Sequence, residues 1–139
     1  MKATLKSVNK SIDVLINEAK RRDCNLGAYS RVDGCMYASE DGRRCAIGFL
    51  FTEDQIEYIK DRNINDNVDV TTLALNYIGE ENLIATTGFN VIVGDLIQTM
   101  HDYVFEDKEV TVTTRDQFIR VMLDLKQKIN KNPEEYQLV

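Results

Sequence analysis

The sequence has few of the features that mark an active site, an exported chain or a membrane span. Its seven glycines form no GxGxxG and no phosphate-binding loop, so nucleotide binding has no support. No window approaches the ~18 uncharged apolar residues needed to cross a bilayer. Lys2, Lys6, Asn9, Asp13 and Glu18 interrupt the first twenty residues, leaving no signal-peptide hydrophobic region. The three cysteines are odd in number and come without an export signal, so they read as reduced thiols of a cytoplasmic protein. Internal repeats, low-complexity tracts and linkers are also missing, which gives one domain over residues 1–132 and a C-terminal tail over 133–139.

Positive charge is in deficit. With 23 acidic against 17 basic side chains the formal charge is −6, which disfavours a phosphate backbone as partner, and no direct nucleic-acid binding is expected. The acids are interspersed with bases, as in Glu106-Asp107-Lys108-Glu109, which argues against a continuous negative face copying duplex DNA. At 43% hydrophobic and 29% charged residues the balance is that of a packed domain. A chain of this length buries roughly 68% of its unfolded surface without a staple.

Leu5, Val8, Ile12, Leu15, Ile16 and Ala19 recur at three- and four-residue steps and predict a helix from about Thr4 to Arg22. Two short runs flank Asp41-Gly42, a pair suited to the positive φ of a tight turn, and predict a β-hairpin with strands near 34–38 and 43–49. A three-residue loop sets Tyr37 opposite Cys45 with Cys35 on the same face, whereas a two- or four-residue loop separates the thiols. Thr52 with Gln55 forms a capping box opening a short helix through Ile56, Tyr58 and Ile59. A further short helix over 70–78 stops at Gly79, and residues 83–87 read equally as strand or turn. Another helix covers about 89–104. Residues 110–113 alternate like a strand or approach the next cap, which Thr114 and Gln117 supply for a helix running to about Asn130. The class expected is α+β, a mostly helical single domain with one β-hairpin near residues 34–49.

Chemistry concentrates on Cys24, Cys35, Cys45, His101 and Asp102, with His101 the only histidine. One reading makes Cys45, or else Cys35, a nucleophile activated by His101 and oriented by Asp102, with Arg43 and Arg44 lowering the thiol pKa. A second binds structural zinc through Cys35, Cys45 and His101. Its spacing is poor, since nine residues separate Cys35 from Cys45 where zinc motifs place two to four. The third reading, a packing role for the cysteines and a local hydrogen bond for His101, is the most economical. No metal site is therefore assigned and no cofactor is expected. Tyr29, Tyr37, Tyr58 and Tyr77 are candidates for an aromatic patch facing a protein partner.

The residues Gly34-Cys35-Met36-Tyr37, Gly42-Arg43-Arg44-Cys45-Ala46-Ile47-Gly48, Tyr58 and Gln98-Thr99-Met100-His101-Asp102 resemble a group of small uncharacterised bacteriophage and prophage proteins. The resemblance covers roughly residues 1 to 130 and rests on some twenty positions. It implies a phage or mobile-element origin and action in the host cytoplasm, and supplies no reaction. It raises Cys45, His101 and Asp102 as catalytic candidates and Cys35, Tyr37 and Gln98, with Tyr58, as binding candidates. Residues 64–88 and 105–113 are longer than the group's pattern, adding surface for a partner-specific function. The function expected is a non-enzymatic accessory protein that binds a host or phage protein, inhibiting a host defence or regulatory system. The alternatives are a cysteine-dependent hydrolase or transferase and a zinc-stabilised binding fold.

Overall fold

The computed structural model describes residues 1–30, 34–66 and 68–138, and among these the chain is built from helices. They are α1 (Leu5–Lys20), α2 (Ala46–Leu50), α3 (Glu53–Asp61), α4 (Val70–Leu73), α5 (Glu80–Thr87), α6 (Val91–Phe105) and α7 (Val112–Lys131). A π-turn (Ala74–Ile78) continues α4, and a 3₁₀ turn (Pro133–Tyr136) follows α7.

The apolar stripe of α1 buries Val8, Ile12, Leu15, Ile16 and Ala19 against α7, which buries Phe118, Met122, Leu125 and Ile129. Asn9 near the start of α1 exchanges amide hydrogen bonds with Asn130 near the end of α7, at 3.0 and 2.8 Å. At the other end the Arg115 guanidinium donates to the Arg21 carbonyl at 2.9 Å and to those of Ala19 and Lys20. The two helices are thus antiparallel, and Arg115 serves orphan carbonyls at the C-terminus of α1. α6 packs on α7 and carries α2 and α4.

The expected α+β class is corrected here. The hairpin over 34–49 does not form, because residues 46–50, the bulk of its second strand, are the helix α2. Extended pairing among the described residues amounts to Tyr29–Ser30 opposite Gly34–Cys35 and isolated bridges, too little to make a sheet. The Asp41-Gly42 turn itself is present, with Gly42 at φ +87° and the Ser39 N–H donating to the Arg43 carbonyl at 2.9 Å. The Cys45 N–H then donates to the Tyr37 carbonyl at 3.1 Å, the register of a three-residue loop. Pairing ends at Cys45 because its sulfur accepts the Gly48 N–H at 3.2 Å and caps a helix. Gly48 permits the crossing, since a Cβ there would meet the Tyr37 carbonyl oxygen at 2.1 Å.

Residues 83–87 belong to α5, and the helix over 70–78 does stop at Gly79, where φ is +85°. The last long helix starts one turn earlier than its predicted cap. Thr111 and Thr114 form the capping box, and the Thr114 hydroxyl also donates to the Glu109 carbonyl. Residues 133–138, expected as a tail, turn back on α7 and reach Asn90, the cap of α6. The Tyr136 carbonyl accepts the Asn90 side-chain amide at 2.9 Å and Leu138 is buried.

Gly48→Ala should cost about 3 kcal/mol in urea unfolding, because the new methyl meets backbone. Asp69, whose carboxylate caps α4 by accepting the Thr72 N–H at 2.6 Å, is held below the ordinary carboxylate range by that bond. Its folded pKa lies below its unfolded one, so its increment is present above the unfolded range and lost as pH falls through the folded value. Asp69→Ala should cost about 1 kcal/mol at neutral pH, with the difference from wild type shrinking on acidification in the same unfolding measurement.

Candidate functional site

Asn90 caps α6 by accepting the Val93 N–H at 3.0 Å, and the helix presents Asp95, Gln98, Thr99 and Asp102 along one side at i, i+3, i+4 and i+7. His101 points inward and is 1% exposed. Its Nε2 accepts the backbone N–H of Gly27 at 3.0 Å, so that nitrogen carries no proton and Nδ1 carries it. Nδ1–H donates to Asp102 Oδ1 at 3.0 Å, and the Gln98 side-chain amide donates to the same oxygen at 2.8 Å. Gln98 Oε1 in turn accepts the Ile47 N–H of α2 at 3.3 Å. The ring stacks tilted on Phe105, centroids 4.9 Å apart, and meets Phe118 edge-on at 6.0 Å.

A polar chain therefore runs from the loop after α1, through α6, to the first turn of α2. Its middle link, Asp102, faces a cleft of about 340 Å³ lined also by Tyr37, Asp69, Asp95, Gln98 and Thr99. Asp95 Oδ1 accepts the N–H groups of Val70 at 3.0 Å and Thr71 at 3.3 Å, and Oδ2 accepts the Thr71 hydroxyl. With Asp69 it serves the N-terminus of α4. Two of the three carboxylates lining the cleft are thereby helix caps.

The structure joins His101, Asp102 and Gln98 directly. Cys45 lies beside the group, its sulfur accepting the Gly48 N–H next to the Ile47 N–H that Gln98 holds. The thiol is completely buried, and burial pushes its pKa far up, with the Asp102 charge adding to the rise. Arg43 and Arg44 do not offset this. Arg43 donates to the carbonyls of Cys24 and Leu26 at 3.2 and 3.1 Å, and Arg44 pairs with Glu53 at 3.0 Å. Tyr37 is buried, donates to the Val68 carbonyl at 2.8 Å and stacks on Phe51. Burial likewise pushes its phenol up. Tyr58 lies apart on α3, its hydroxyl donating to the Tyr77 carbonyl at 3.3 Å. The side chains of Cys35 and Tyr29 lie outside the described residues, and Cys24 is buried. Among the described residues no group of three His, Cys, Asp or Glu side chains can hold a metal ion. No single helix among them is long and apolar enough to cross a membrane.

Asp69 and Asp95 were missed by the sequence reading. Asp69 stands just before the apolar position Val70, an N-cap signature, whereas nothing local marks Asp95, whose partners lie 24 and 25 residues away. The chain matches no family model, no curated protein and no solved structure.

In the native protein iodoacetamide should leave Cys45 unmodified at mildly alkaline pH and modify it once urea unfolds the chain, as read by peptide mass spectrometry. Because the folded thiol pKa is raised, stability on this account is unaffected below the unfolded thiol range and falls as pH rises above it. His101→Ala should cost about 3 kcal/mol, since it strands the buried Gly27 N–H and leaves a void between Phe105 and Phe118.

Proposed function

We propose that the chain is a small phage-encoded accessory protein that binds a host or phage protein in the host cytoplasm and thereby inhibits a host defence or regulatory system. The observation that carries the binding reading is the inward commitment of the motif residues. Both ring nitrogens of His101, the Cys45 sulfur and the Gln98 amide are bound to groups within the fold. Residues so engaged support a rigid scaffold, and recognition falls to the surface it displays. The phage origin is supported by the resemblance of residues 34–37, 42–48 and 98–102 alone.

A cysteine-dependent hydrolase has weaker support. Its nucleophile would need a thiolate open to substrate, and the buried Cys45 thiol is held protonated.

Affinity capture from infected-cell lysate should recover one specific partner in near-stoichiometric amount, equally with wild type and with Cys45→Ser, once circular dichroism shows both folded. Recovery of no specific partner, or a partner and phage phenotype that depend on the thiol in a folded variant, contradicts the reading.

A further inference from the structure

α4 begins as an amphipathic helix with Val70, Leu73 and Ala74 in the core. Continued as an α-helix, that stripe would carry Tyr77 inward, four residues after Leu73 and three after Ala74. The π-turn over Ala74–Ile78 accommodates one more residue per turn and breaks the stripe. Tyr77 is turned out to 40% exposure, Leu75 stands at 67%, and Ile78 is half-buried in its place. A continuous helix would have buried the aromatic ring and its area, so the fold here forgoes core packing for surface display.

Tyr77 and Ile78 edge a groove of about 370 Å³ between the π-turn, α3 and α5, lined also by Asp54, Gln55, Tyr58 and Asn82. Its walls are fixed. Tyr58 donates to the Tyr77 carbonyl, Asn82 donates to the Ile78 carbonyl at 2.7 Å, and Gln55 donates to the Thr86 hydroxyl at 3.0 Å. Its rim is acidic. Glu57 and Asp61 continue the stripe of Asp54 and Tyr58 on α3, and exposed Glu81, 3.8 Å from the terminal amine, adjoins Asn82. The cations in this region are engaged, the terminal amine beside Glu81 and the Arg62 guanidinium over the Tyr58 ring at 3.8 Å, while Lys60 lines a different cleft with Met36 and Asn65. An apolar, tyrosine-walled groove under carboxylates complements apolar side chains flanked by cations.

The geometry points to this groove as the docking site for a cationic amphipathic segment of the partner protein, its apolar side chains against Tyr58, Tyr77 and Ile78 and its Lys or Arg residues on Asp54 and Glu57. The assignment rests on the proposed protein-binding function and names the surface and the partner's chemistry.

The test is NMR titration of the full chain with a synthetic amphipathic leucine–lysine helix, and with its leucine–glutamate counterpart as control. The lysine peptide should shift amides around Tyr58, Tyr77, Ile78 and Asn82, and the glutamate peptide should not. Tyr77→Ala should weaken binding at least about tenfold, ~1.4 kcal/mol, with an unchanged melting temperature because the side chain is exposed. Asp54→Asn with Glu57→Gln should weaken it at low salt and flatten its salt dependence. Shifts centred on the Asp95 and Asp102 cleft, equal binding of the glutamate peptide, or undiminished binding by the Tyr77→Ala variant overturns the assignment. A cellular partner captured equally by wild type and that variant overturns the groove and leaves the protein-binding function standing. Lysine-peptide binding at the groove with no cellular partner does the reverse.

Discussion

The hydrogen bond from the Gly27 amide to His101 Nε2 is the constraint on which the rest of this structure turns. It is buried, it joins segments 74 residues apart, and it determines the histidine tautomer. With Nε2 an acceptor, Nδ1 is the donor that holds Asp102, and Asp102 holds Gln98, which holds the first turn of α2. Each buried group left without its partner costs about 1–3 kcal/mol. Loss of one link therefore leaves unpaired polar groups inside the core that Leu26, Ile47 and Ile97 share. The neighbouring loop is tied by the same means, with Arg43 gathering the carbonyls of Cys24 and Leu26 and Glu18 accepting the Asn25 N–H at 2.7 Å.

This network changes what the Cys, Gln, His and Asp positions mean. Residue types that could form a nucleophile, base and orienting acid instead satisfy backbone N–H groups at the start of α2 and in the loop after α1. Cys45 acts as a helix cap, with a thiol that burial keeps neutral. The cleft beside it repeats the pattern, since Asp69 and Asp95 cap α4. Chemical identity alone does not separate a catalytic group from a structural one. The direction in which its polar atoms are committed does.

α1, α6 and the body of α7 were legible in the sequence because long 3.6-period stripes survive any tertiary context, and the Thr52 cap because both partners lie in one turn. The hairpin failed at one atom. Asp41-Gly42 does turn, but nothing in Cys45-Ala46-Ile47-Gly48 distinguishes a strand from a short helix capped by sulfur and covered by the Tyr37 backbone. The candidate site was legible as a set of residues and not as a role, because the partner that decides the role of His101 is a main-chain N–H, invisible to residue type. The π-turn itself was not legible, since it leaves no compositional trace while it shifts every later residue around the helix.

A scaffold held by inward polar bonds leaves its outer surface free to diversify, and the π-turn shows the fold setting an aromatic residue outside rather than inside. The measurement that bears most directly on the central claim is native-state hydrogen exchange of the Gly27 amide. If His101 Nε2 holds it, that amide should exchange as slowly as core amides of α6 such as Val93, through opening close to global unfolding. Exchange at the rate of exposed loop amides would show that the bond does not hold the loop, and the account built on it would fail.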